Sequence, residues 1–282
     1  MQQGNIGFMQ GRMSPLVDGK IQSFPWDDWK TEFKKAQAAK FSLMEWTIDQ
    51  DRFSENPLVT EKGQRDIQGL CRRHGVRVSS VTADCFMHAP FFKVFGIEQE
   101  ARIGQIKNLI RSSSAMCIDR IVFPLVDQGS IENERQQRDV VQVLLGLDDL
   151  LREMKVRIIF ESDFDPQTLK AFISCFPNDT FGINLDIGNS AALGFPSDEE
   201  IGAYGDRIYG VHVKDREYQG STVPLGEGSA DIPKTLGELV RAGYQGDYVL
   251  QPARAVDDHH VGLLIAYKEL VHEILRREVN GS

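Results

Sequence analysis

A chain of 282 residues with 41% hydrophobic and 26% charged side chains has the makeup of a globular protein with a sizeable core. Its formal net charge of -9, with no basic tract to offset it, argues against a nucleic-acid binder. No stretch approaches a transmembrane span, and the start, Met1-Gln2-Gln3-Gly4-Asn5, lacks the basic and apolar regions of a signal peptide, so a cytoplasmic protein without membrane contact is expected.

An apolar or β-branched run followed by a helix-like stretch recurs eight times. The spacing predicts strands at 6–9, 43–47, 76–83, 120–126, 156–161, 181–186, 209–213 and 248–251. Pro25-Trp26-Asp27-Asp28-Trp29 opens the first helix, with proline near its start and acids in its first turn. Thr60 opens the second, and Gly75 follows its last turn as a C-cap. The stretch 133–155 reads as one long helix. Asp165-Pro166 opens the fifth helix and Ser197-Asp198-Glu199-Glu200 the sixth, each as N-cap and first turn. A long C-terminal helix is expected at 259–278. Eight such units without a linker or composition break spell an α/β fold, a (β/α)8 TIM barrel in a single domain over 1–282. A doubly wound open sheet would want a G-x-G-x-x-G loop after the first strand, and Met9-Gln10-Gly11-Arg12-Met13 is not one. Cys71, Cys85, Cys117 and Cys175 form no C-x-x-C pair and read as reduced thiols.

In a TIM barrel the C-terminal ends of the strands carry the active site. Three of the runs end in Glu161, Asp186 and His212, and a fourth ends in Gln251. Carboxylate, carboxylate and imidazole suit one divalent cation such as Mn²⁺, Mg²⁺, Co²⁺ or Zn²⁺. Residues two apart on a strand share a face, so Asn184 points with Asp186, and Lys214 lies above His212. Solvated acids and a core histidine are the alternative. Three such groups on consecutive strands favour ligand chemistry, because burying them unpaired is costly.

The stretches Glu161-Ser162-Asp163, Asn184-Leu185-Asp186-Ile187-Gly188-Asn189, Val211-His212-Val213-Lys214-Asp215 and Pro224-Leu225-Gly226-Glu227-Gly228 resemble the xylose-isomerase-like sugar phosphate isomerase/epimerase superfamily. The resemblance implies one metal held by Glu, Asp, His and a final Glu, with the two glutamates exchanging a proton beside a carbonyl. Those roles fall on Glu161, Asp186 and His212, and the fourth falls on Gln251. Pairing of two copies as a homodimer is a further implication of the resemblance.

Gln251 departs from that pattern. Its carbonyl oxygen can coordinate a cation but brings no charge, and an amide accepts no proton at neutral pH. Glu161 is then the single base, with Lys214 as the leading partner and Glu45, His88 and Asp215 as other candidates. Arg12 and Arg254, beyond the first and last strands, are positioned to grip a phosphate or carboxylate. Glu45, His88, Asn189 and Asp215 are expected to line the substrate site. The loop 221–228 could close over substrate with its amides, and Trp46, Phe86 and Phe91 could wall a sugar ring. The expected activity is metal-dependent isomerisation or epimerisation of a sugar or sugar phosphate. A dehydratase or lyase, or a non-catalytic sugar-binding barrel, is the alternative.

Overall fold

The computed structural model describes residues 5–255 and 259–280. The leader reading, which rests on residues 1–4, and the outer limits of the 1–282 domain lie outside the described residues. The eight expected strands form, as β1 (Ile6–Met9), β2 (Leu43–Thr47), β3 (Arg77–Thr82), β4 (Arg120–Leu125), β5 (Arg157–Ser162), β6 (Phe181–Asp186), β7 (Ile208–Val213) and β8 (Tyr248–Leu250). They close into one parallel barrel in the order β1-β8-β7-β6-β5-β4-β3-β2. Helices cover the outside and side chains fill the inside, so the strands are buried along nearly their whole length. That is why they read as continuous apolar runs rather than as alternating ones.

Local signals set most helix ends. The Thr60 side chain accepts from the Gly63 N–H at the start of Glu61–His74, and Gly75 closes that helix at a φ of 65°. Asp165 accepts from the amides of Gln167 and Thr168, with Pro166 in the first turn of Pro166–Ile173. Two expectations are corrected. The stretch 133–155 is two helices, Glu134–Leu145 and Asp148–Met154, broken at Gly146-Leu147. Leu144, Leu147 and Leu151 are all buried, at the i, i+3, i+7 spacing of a single helix face, so the apolar pattern runs unbroken through the interruption. Ser197 is the first helical residue of Ser197–Tyr204 rather than its cap, a place taken by Pro196. The last helix, His260–Asn280, lies against Ile232–Arg241 and β1 and so covers the barrel seam. Among the described residues no helix is long and apolar enough to cross a membrane.

One excursion shapes the site. After β7, Asp215–Arg216 pairs with Thr222–Val223 in a short antiparallel ladder. The buried Asp215 carboxylate then accepts the N–H groups of Gly226 (2.8 Å), Gly228 (3.0 Å) and Ala230 (3.0 Å). The amides expected to close over a substrate are therefore used to hold the loop itself.

Candidate metal centre

Register brings the strand ends together. Asp186 pairs with His212, and Asn184 pairs with Gly210 one layer deeper. A Cβ on Gly210 would stand 2.5 Å from the Asn184 Oδ1 and 2.7 Å from the Ile159 Cδ1. Glycine there leaves room for Asn184, whose Nδ2 supports the Glu161 Oε2 at 3.2 Å. One ligand atom from each of Glu161, Asp186 and His212 lies within 4.8 Å of the others, and all three residues are buried. Strand ends 25 or more residues apart in sequence thus converge on one point at the mouth of the barrel.

The imidazole is held from behind. His212 Nε2 is 2.8 Å from the Glu45 Oε1, and the other Glu45 oxygen accepts from the Ser80 hydroxyl at 2.6 Å. His212 Nδ1 lies 3.1 Å from the Glu161 Oε2 and 3.8 Å from the Asp186 Oδ2. Neither contact has hydrogen-bond geometry, and this buried nitrogen has no hydrogen-bond partner among the described residues. Burial disfavours the imidazolium, but Glu45, Asp186 and Glu161 together push the His212 pKa well above its ordinary value. Burial likewise opposes ionisation of Asp186, yet Lys214 and His212 hold its carboxyl down at about 2. Three buried carboxylates around one imidazole form a site short of positive charge.

The donor set fits a divalent cation. Its members are oxygen and nitrogen donors, the His212 Nδ1 is unused, and Glu45 orients the ring from the far side as an outer carboxylate does in metal sites. Gln251 adds a second unused atom: its Oε1 is buried without a hydrogen-bond partner among the described residues.

Cationic and amide groups rim the carboxylates. Asn189 donates Nδ2 to the Glu161 Oε1 at 2.7 Å. Its Oδ1 accepts from Lys214 Nζ at 3.0 Å and from Arg216 NH1 at 2.9 Å. Lys214 also lies 3.3 Å from the Asp186 Oδ2, its stem laid against Gly188, where any side chain would collide. Arg216 was not singled out above, although 212, 214 and 216 share one face of an extended strand, the signal that would have found it.

The other expected residues are distributed as follows. Glu45 sits behind His212 and is 1% exposed, away from any open space. Asp215 is buried under the loop it organises. His88 is exposed, at the end of the short helix Asp84–His88. Arg12, 3% exposed, gives its guanidinium to the Pro252 carbonyl (3.1 Å), the Ile21 carbonyl (2.7 Å) and the Gln22 Oε1 (3.1 Å). Arg254 donates to the carbonyls of Gly11, Ser14 and Pro15. Both arginines staple the β1 and β8 loops to one another. Trp46, Phe86 and Phe91 go into the core, Trp46 against Phe24 and Trp29. Burial pushes the Cys85 thiol well up, which removes it as a nucleophile.

One more residue at the mouth, Gln22, came from no sequence signal, whereas Asp84 follows the third strand run. Gln22, in the β1 loop, accepts from Gln251 Nε2 at 2.7 Å and donates Nε2 to Asp84. Burial first, and then Asp49, pushes the Asp84 carboxyl up to about 7.

Comparison with known proteins follows the same outline. A family model described as "Xylose isomerase-like TIM barrel" matches residues 33–260. The L-ribulose-5-phosphate 3-epimerase UlaE of Escherichia coli (O1:K1 / APEC) is 24% identical over 236 residues, covering 79% of this chain and 81% of the relative. A solved structure of L-ribulose 3-epimerase superposes with a TM-score of 0.76 at 12% identity, over 99% of this chain and 97% of the other. A crystal structure of IOLI protein with a binding zinc atom superposes with a TM-score of 0.74 at 16% identity, over 97% of this chain and 99% of the other.

Proposed function

The chain belongs to the xylose isomerase-like TIM-barrel family, and from that premise we propose that it is a divalent-metal-dependent isomerase or epimerase of a sugar or sugar phosphate. The observation that carries this reading is the buried convergence of Glu161, Asp186 and His212 with an unused Nδ1 at its centre. The epimerase names of relatives that share the fold support it.

Glu161, Asp186, His212 and the carbonyl oxygen of Gln251 would hold the ion, be it Mn²⁺, Mg²⁺, Co²⁺ or Zn²⁺. When bound, it supplies Lewis-acid polarisation of substrate carbonyl and hydroxyl oxygens. The rest falls to the side chains. Glu161 is the base: its carboxylate, fixed by the N–H groups of Asn184 and Asn189, takes the proton from the carbon beside the carbonyl. Lys214, 3.3 Å from Asp186, stands next to that carboxylate as proton donor to the substrate oxygen. Lys214 and Arg216 place two cations at the rim, suited to a phosphate or an oxygen-rich sugar. A net charge of -9 favours such a small substrate over nucleic acid.

Gln251 accepts no proton at neutral pH, so no second base stands at that corner. Glu161 by itself performs one-face chemistry: a proton carried between adjacent carbons, or a single abstraction followed by loss of water. Epimerisation requires in addition a second group, for which Lys214 is the candidate, to return the proton to the opposite face. Gln251 therefore favours a sugar dehydratase or lyase as the second reading.

NMR in D₂O with Mn²⁺ present, over ketoses, aldoses and their phosphates, separates the two readings. Deuterium at one carbon with the skeleton retained is the expected result, and loss of water would select the second reading. A protein that neither binds Mn²⁺, Mg²⁺, Co²⁺ or Zn²⁺ nor melts at a higher temperature in their presence would sink both.

A further inference from the structure

We propose that Gln22 is a positioning residue that sets which end of the Gln251 amide faces the ligating cluster; the proposal rests on the metal-site reading above. An amide has two chemically opposite ends. Turned one way it offers a carbonyl oxygen to a cation, and turned the other way it offers two N–H donors that repel one. Glutamate at this position would present equivalent oxygens and would need no such control.

The orientation follows from a chain of donors and acceptors. Arg12 has only donors, and its NH2 lies 3.1 Å from one end of the Gln22 amide, so that end is the oxygen. The other end of Gln22 is then the nitrogen, and it donates to the Asp84 carboxylate. The same Gln22 oxygen lies 2.7 Å from the Gln251 amide, so Gln251 must present its nitrogen there. Its oxygen is left as the end that is buried and without a hydrogen-bond partner among the described residues. Register sets the direction of that end. Val249 pairs with His212 on the neighbouring strand, and Gln251, two residues on, shares the face of Val249. The free oxygen thus belongs to the face that carries His212.

The anchor is rigid where it must be. Arg12 is 3% exposed and also donates to the Pro252 carbonyl, next to Gln251, and to the Ile21 carbonyl, next to Gln22. One guanidinium therefore pins both backbones and the amide between them. Arg12 and Gln22 both lie in the β1 loop, ahead of the residues matched by the family model, 33–260.

The test is a double-mutant cycle read by Mn²⁺ affinity, measured by calorimetry on the full chain without substrate. Gln22→Leu is expected to weaken Mn²⁺ binding by about tenfold, the lower end of what is lost when outer-shell partners of metal ligands are removed. In a Gln251→Glu background, where the two oxygens are equivalent, Gln22→Leu is expected to leave affinity within about twofold. An equal loss in both backgrounds means Gln22 acts through general packing and overturns the proposal, as does unchanged affinity in the single variant. Wild-type protein that binds no Mn²⁺ rejects the metal-site reading, and this inference with it. Gln22→Met, which keeps the chain length and removes both polar ends, replaces the leucine variant in the same cycle if that variant does not fold.

Discussion

Glu45 stands behind His212, its Oε1 2.8 Å from the imidazole Nε2 and its second oxygen held by Ser80. The contact joins the middle of β2 to the end of β7, 167 positions apart, and both side chains are buried. With Nε2–H donated to Glu45, the ring turns Nδ1 toward Glu161 and Asp186.

Replacing Glu45 with Gln removes the charge but keeps the shape. The ring loses basicity and its fixed tautomer, so Mn²⁺ affinity is expected to fall by about 10- to 100-fold with the fold retained. Calorimetry alongside circular dichroism checks this, and unchanged affinity would assign Glu45 a packing role only.

Glu161→Gln removes the base and leaves an amide able to keep one of its present partners. Solvent deuterium incorporation into the substrate is expected to drop by at least about 100-fold. Exchange that persists at the wild-type rate would move the base to another residue.

Gly210→Ala probes the layer beneath the cluster. A methyl group there meets the Asn184 Oδ1 at 2.5 Å and the Ile159 Cδ1 at 2.7 Å. Overpacking of this kind costs roughly 1–3 kcal/mol, and the shifted Asn184 should lower activity as well. Denaturant titration together with an activity assay measures both; full stability in the alanine variant would show that the layer can open at no cost.

Glu200 gives the fold a pH dependence of its own, to which the nearby Asp186 charge also contributes. Burial is the main cause that raises its carboxyl to about 7, against hydrogen bonds from Ser190 and Tyr204 that act to lower it. An unfolded glutamate titrates near 4.3. Between these values the folded chain keeps a proton that the unfolded chain has released. Stability from this group therefore falls as pH rises from about 4.3 to 7 and is level above that, a loss of order 4 kcal/mol at most. Glu200→Gln is expected to flatten the slope, raising the melting temperature relative to wild type more at pH 8 than at pH 5. Parallel melting curves for the two proteins across that range would refute it.

The barrel and its strand ends were legible because they rest on local patterns. The runs ending in Glu161, Asp186 and His212 are continuous and apolar, as strands covered on both sides must be. Alternation then assigned faces correctly for Asn184 and Asp186. The break at Gly146-Leu147 was not legible, because Leu144, Leu147 and Leu151 keep the i, i+3, i+7 spacing of one helix face across it. The hydrogen-bond partners of the arginines were not legible for a similar reason. Arg12 and Arg254 do meet where the barrel closes, but the carbonyls that occupy them belong to loops whose path no periodicity records.

By itself the sequence determined the barrel, the four residues at the ends of its last four strands, and the uncharged amide at position 251. Those depend on spacing within single strands. Tertiary structure alone decided that Glu45 lies behind His212, that Asp215 ties down its own loop, and that Gln251 meets Gln22 across 229 positions of chain. Each of these is a hydrogen bond between distant segments, and its partner is chosen by barrel closure and loop path, which bring together groups that sequence spacing keeps apart.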